Sequence, residues 1–138
     1  DHGFDLARDA AKLAPLVAEL NACGCRVSVF VDAGTMEGFE EAREIGVARI
    51  EIYSGPYAEA FARGDCSREL SRCVDTARRA AEAGLAVNAG HDLNQQNLAT
   101  FRGAIPDLAE VSIGHALICE ALYEGLERTV RNYLRILV

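Results

Sequence analysis

A chain of 138 residues, half of them hydrophobic, is long enough for one domain with a buried core. Its net charge of −7 counts against nucleic acid or an anionic membrane surface as a partner, and no apolar stretch approaches the length of a membrane span. In chain order, Leu6, Ala10, Leu13, Val17 and Leu20 mark an amphipathic helix over residues 6–20, stopped at Gly24. Residues 27–31 are a β-branched strand. Thr35 caps a helix that runs to residue 45 and ends at Gly46. A second strand covers residues 48–53, and Ser54-Gly55-Pro56 opens a longer loop with a helical turn over 57–62.

A long helix begins at Ser67, carries Leu70, Cys73, Val74, Ala77 and Ala81 on one face, and closes at Gly84. Residues 85–89 form a third strand, 94–103 a helix, and 108–113 a fourth strand. The tail, residues 116–138, is helical with a break near Gly125. Helices and strands alternate throughout, which predicts right-handed βαβ units and a parallel sheet within a single α/β domain over residues 1–138. The apolar side chains from Leu126 to Val138 exceed what so small a fold covers, which predicts self-association.

The five cysteines (Cys23, Cys25, Cys66, Cys73 and Cys119) match no disulfide framework or zinc spacing and read as reduced thiols of a cytoplasmic protein. The chain opens on Asp1 rather than Met, so a preceding segment is expected.

Two of the three histidines follow a glycine directly after a short apolar run: Val87-Asn88-Ala89-Gly90-His91 and Val111-Ser112-Ile113-Gly114-His115. The ends of parallel strands are where α/β folds gather ligand and proton chemistry, and histidine is the side chain that titrates nearest neutrality. The strands also differ between their faces. Val27, Val29, Val31, Ile50, Ile52, Val87, Val111 and Ile113 fall on one face, whereas Asp32, Glu51, Asn88 and Ser112 fall on the other. Such polarity suits the inside of a (β/α) barrel near its active end, of which four βα units make about half. Glu51 is costly in such a place unless paired, with Arg49 or Arg26 the candidate partners, or used in chemistry. Asp32 and Asn88 are expected to orient His91 or substrate. The single lysine, Lys12, lies on the first helix away from any strand end, which disfavours a Schiff-base aldolase.

Four segments together resemble one family, the pyridoxine 5′-phosphate synthases. They are Ser28-Val29-Phe30-Val31-Asp32; Ile50-Glu51-Ile52-Tyr53-Ser54-Gly55-Pro56-Tyr57-Ala58; Val87-Asn88-Ala89-Gly90-His91-Asp92-Leu93-Asn94; and Ser112-Ile113-Gly114-His115-Ala116. The opening Asp1-His2-Gly3-Phe4-Asp5-Leu6 is similar to the segment that enters the family's middle helix. The resemblance covers the C-terminal half of the family's sequence. It implies a (β/α)8 TIM-barrel type fold, represented here by about the C-terminal four βα units plus C-terminal helices.

The resemblance further implies condensation of 1-deoxy-D-xylulose 5-phosphate with 3-amino-2-oxopropyl phosphate to pyridoxine 5′-phosphate, phosphate and water. It implies no organic cofactor, no metal and a homo-oligomeric assembly. By the same resemblance His91 is the proton donor and Glu51 stabilises a transition state. Gly114 and His115 bind the product's phosphate, and Asp92 stands at a ligand-touching position, although it is equally placed to cap the helix starting near Asn94. The family's general bases and phosphate-gripping arginines lie in the half not represented, so this chain alone is expected to be incomplete for catalysis. The alternatives are a non-catalytic phosphate-ligand module, or a half-barrel that self-associates. Other phosphate-binding barrel enzymes are not expected to combine both Gly-His pairs with Glu51.

Overall fold

The computed structural model describes residues 2–138; Asp1, the first residue of the opening motif, lies outside them. The elements follow in the order α1 (Leu6–Ala22), β1 (Ser28–Asp32), α2 (Phe39–Glu44), β2 (Arg49–Tyr53), α3 (Gly55–Ala62), α4 (Ser67–Glu82), β3 (Ala86–Ala89), α5 (Leu98–Ala104), β4 (Leu108–Val111), α6 (His115–Glu124) and α7 (Leu126–Leu137). The four strands form one parallel sheet in the order β1-β2-β3-β4. The order never reverses, so among the described strands there is no switch point of a doubly wound fold.

The two faces of the sheet separate as the alternation requires. Val29, Val31, Ile50, Ile52, Val87 and Ala89 are buried against the helices, where Leu6, Val17, Phe39, Tyr57, Cys73, Leu98 and Phe101 meet them. Each such aliphatic or aromatic side chain contributes about 1.5–3 kcal/mol through removal from water. On the opposite face the pairing register sets Phe30, Glu51, Asn88 and Glu110 in one row across the sheet. The segment before α1 lies along β1: the Phe4 N–H donates to the Phe30 carbonyl at 2.8 Å, and the Gly3 N–H to the Asp32 carboxylate at 2.8 Å.

Three helix starts differ from the sequence reading, the first because a distant partner competes with the local signal and the other two for local reasons. Thr35 does not cap α2. Its hydroxyl donates to the Asp32 carbonyl at 2.8 Å and its own carbonyl accepts from the buried Thr76 hydroxyl on α4. The helix begins four residues later, behind Gly38 at φ 84°, where a Cβ would stand 2.3 Å from the Ala7 nitrogen. The turn expected over 57–62 is a full helix from Gly55, with Pro56 in its first turn, where a missing N–H costs nothing. Residues 94–97 form a turn built on the Asn94 side chain, which accepts from the Gln96 and Asn97 N–H groups, and α5 starts only at Leu98.

The tail breaks at Gly125 as expected. Tyr133 and Thr129 are buried, whereas Leu122 (80% exposed), Tyr123 (93%), Leu126 and Leu134 face outward. No helix among the described residues is long and apolar enough to cross a membrane.

Candidate active site

Both Gly-His pairs line one cavity of about 570 Å³ beyond the ends of β3 and β4. Gly90, His91, Asp92 and Asn94 form one wall; Ser112, Gly114 and His115 form the other; Ala58 and Glu59 of α3 close a side. The two walls touch at Gly90. A Cβ there would come within 2.1 Å of the Ser112 carbonyl oxygen, and the Ser112 N–H donates to the Ala89 carbonyl at 2.9 Å. Gly90 is therefore demanded by packing between two backbones. Gly114 differs: its φ is −109°, and among the described residues no atom beyond its own neighbours and helix backbone lies within 4 Å of where its Cβ would be.

His91 is exposed at the mouth of the sheet, and its ring packs on two aromatic rings from neighbouring strands. Centroid separations are 5.5 Å to Phe30 and 5.4 Å, edge-on, to Tyr53; Phe30 and Tyr53 are themselves 5.4 Å apart. Its main-chain carbonyl accepts from the buried Ser54 hydroxyl at 2.7 Å. Asp92 takes the left-handed conformation at φ 60°, which an Asp side chain tolerates better than most. It does not cap the following helix, since Asn94 holds that turn.

Glu51 stands half-buried on the polar face and does not line the cavity. Desolvation raises its carboxyl above the ordinary glutamate range, opposed by the charge of His91 and reinforced by that of Glu110. The arginines expected as its partners go elsewhere. Arg49 donates to Glu110 at 2.8 Å and to the Asn88 side chain at 3.1 Å, and Arg26 lies 3.8 Å from Glu110. Neither Asn88 nor Asp32 reaches His91 by a hydrogen bond: Asn88 accepts from Arg49, and Asp32 anchors the Gly3 N–H.

Because burial favours the protonated form, the folded-state pKa of Glu51 lies above its unfolded value. The ionised carboxylate therefore costs stability at neutral pH; that cost shrinks as pH falls through the raised folded-state value and is gone once pH is well below the ordinary glutamate value of about 4.3, where the carboxyl is protonated in both states. Glu51→Gln is expected to raise the melting temperature at neutral pH, with the gain shrinking in acid. A variant less stable at neutral pH would show that pairing, not desolvation, governs this carboxylate.

His115 is the first residue of α6, and its Nε2 lies 3.6 Å from the Cys119 sulfur one turn on. The first N–H groups of such a helix lack intrahelical acceptors and face its N-terminal end, which favours an anion there. Across the cavity, Glu120 of α6 accepts from the Gln95 side chain at 3.0 Å and from Tyr133 of α7 at 2.6 Å, joining the two walls behind the site. Cys23 and Cys25 are exposed at the end of α1, and burial pushes the Cys73 thiol up to about 12. Among the described residues no group of three or more His, Cys, Asp or Glu is arranged to hold a metal.

The structure thus brings His91, Asp92, Gly114 and His115 together and sets Glu51 apart on the sheet. Sequence reading missed Ser54 and Asn97 beside the His91 loop and the aromatic pair under His91. Phe30 and Tyr53 could have been found from register, since both share the polar face of adjacent strands.

The model of the family described as "Pyridoxal phosphate biosynthesis protein PdxJ" matches residues 1–138. The pyridoxine 5′-phosphate synthase of Xanthomonas campestris pv. campestris is 58% identical over 137 residues, covering 99% of this chain and 53% of the relative. Those of Xylella fastidiosa and Xanthomonas oryzae pv. oryzae are 57% and 55% identical, covering 99% of this chain and 52% and 53% of the relatives. The chain spans about half the length of the curated relatives it matches. With the family's motifs in register along the whole chain and two of them forming one cavity, this chain belongs to the PdxJ family of pyridoxal phosphate biosynthesis proteins.

Proposed function

We propose that this chain supplies the proton-transfer and phosphate-binding half of a pyridoxine 5′-phosphate synthase. The observation that carries this is the single cavity lined by both Gly-His pairs. In this reading His91 donates protons during the imine, elimination and ring-closure steps, where an imidazole can both give and take a proton. Gly114 and His115 hold the product's phosphate on the first turn of α6; the open space at Gly114 supports close approach of an anion. Asp92 lines the same cavity. Glu51 stabilises positive charge that develops on the substrate, a role consistent with a carboxylate kept half-buried without an arginine.

The four strands are an arc of a (β/α)8 barrel, a reading supported by an order that never reverses and by a polar inner face. The upstream half of the family's sequence completes the barrel and brings the bases and arginines for 1-deoxy-D-xylulose 5-phosphate and 3-amino-2-oxopropyl phosphate. The exposed apolar face of α6 and α7 belongs to a homo-oligomer, and the reaction runs in the cytoplasm without an organic cofactor.

A second reading, a phosphate-ligand module without turnover, is favoured by one fact: both Gly-His pairs line the cavity while Glu51 lies outside its lining. One experiment separates the two. The chain is joined to the upstream half of the Xanthomonas campestris relative and assayed for pyridoxine 5′-phosphate from the two substrates. Turnover by the chimera, and phosphate-ester binding without turnover by the chain alone, is the expected pair of results. A folded chimera that binds phosphate esters but forms no product, beside an active parent enzyme, leaves only the binding module.

A further inference from the structure

Three successive carbonyls in the loop after β3 are each held by a different donor. The Leu93 N–H reaches Gly90 at 3.1 Å, the Ser54 hydroxyl reaches His91 at 2.7 Å, and the Asn97 amide reaches Asp92 at 3.1 Å. Ser54 is 0% exposed and Asn97 is 2% exposed. Both occupy N-cap positions, Ser54 of α3 and Asn97 of α5, and neither side chain makes the capping bond. Ser and Asn are strongly preferred at N-caps because their side chains fold back on the first turn's N–H groups. Here both side chains turn away from their own helix.

The Asn97 side-chain oxygen also accepts from the Asn94 N–H at 2.9 Å, and the Asn97 main-chain carbonyl accepts from the hydroxyl of fully buried Tyr57 at 2.7 Å. The anchors are therefore fixed in the core while the loop they hold is at the surface. A proton donor works only within hydrogen-bond reach of its target, and small misplacements cost much of the rate. An exposed histidine on an untethered loop would sample many positions.

We infer that Ser54 and Asn97 are positioning residues for His91. They forgo capping, Ser54 to hold the carbonyl of His91 and Asn97 that of the adjacent Asp92, so that the imidazole stays against Phe30 and Tyr53. This rests on the reading of His91 as proton donor given above.

The test uses the ring proton signals of the three histidines in the 138-residue chain. His91 is expected to show a ring-current displacement from Phe30 and Tyr53 that exposed His2 lacks. Ser54→Ala and Asn97→Asp are expected to cut that displacement by about half or more. Thr76→Ala, which removes another buried hydroxyl with two hydrogen bonds, to the Gly34 N–H and the Thr35 carbonyl, is expected to leave it in place. In the chimera, the same two variants lower kcat about tenfold with KM nearly unchanged.

His91 signals at their original positions in both variants would overturn the inference. So would unfolding of both variants where Thr76→Ala folds, which would assign these side chains to the fold instead. If the unaltered chimera is inactive, the functional reading fails, and the ring signals still decide the positioning.

Discussion

His91→Gln in the chimeric enzyme is expected to lower kcat by a factor of roughly 100 to 10,000, the range for losing a positioned general acid. The same change should leave the fold nearly intact. His91 is exposed, and its ring contacts with Phe30 and Tyr53 are worth about 1–2 kcal/mol together. Glutamine keeps a polar side chain of similar reach but cannot exchange a proton near neutrality. Steady-state kinetics beside a thermal melt give the answer. A variant that melts close to the parent and retains a third of its kcat would remove His91 from the proton-transfer role. KM should change little, because in the proposed function the ligand's phosphate is held by the other wall of the cavity.

The second large effect is on structure. Gly90→Ala places a methyl group where 2.1 Å separates it from the Ser112 carbonyl oxygen and 2.8 Å from the Ser112 carbonyl carbon. These are backbone atoms of the neighbouring strand's continuation, so no side chain can swing aside. β4 must shift, and the bond from the Ser112 N–H to the Ala89 carbonyl weakens with it. Overpacking of this kind costs about 1–3 kcal/mol, and a domain of this size then melts roughly 3–15 °C lower. The shift also parts the walls that carry His91 and His115, so phosphate-ester affinity should fall together with stability.

Gly114→Ala provides the contrast, because open space surrounds that position. Its melting temperature should match the parent's while phosphate-ester binding weakens. Equal melting temperatures for the two variants would mean that Gly90 does not hold the strands together as the contact implies.

Much of this was legible before folding was considered. The alternation of Val29 and Val31, Ile50 and Ile52, and Val87 and Ala89 announces strands with one buried face, because a period of two needs only nearest neighbours in the chain. The helical spacing of Leu6, Ala10 and Val17 works the same way, and those three are buried in α1. The Gly-His pairs marked where the cavity would form, since a residue just past a parallel strand lies at the sheet's C-terminal end.

What escaped the reading shares one physical cause. In the sequence Thr35 and Asn94 mark helix starts, because their side chains suit a cap. Whether they cap depends on Thr76, 41 residues from Thr35, and on Asn97. Arg49 is one of two candidate partners for Glu51 in the sequence, yet it reaches Glu110, 61 residues away, because parallel pairing brings β2, β3 and β4 side by side. Ser54 carries no distinguishing signal as a serine before Gly-Pro; its partner lies 37 residues on.

Local periodicity and motif spacing thus determine the strands, the family and where the two Gly-His pairs meet, since each is written in side chains close together along the chain. The hydrogen-bond partners were settled by the assembled fold. These are the two helix caps turned to the His91 loop, the Gly90 contact with Ser112, and the carboxylate that Arg49 leaves half-buried without an ion pair to it. A polar side chain takes the best-placed partner that remains after the apolar faces have packed, and that partner is fixed only when distant strands and helices come together.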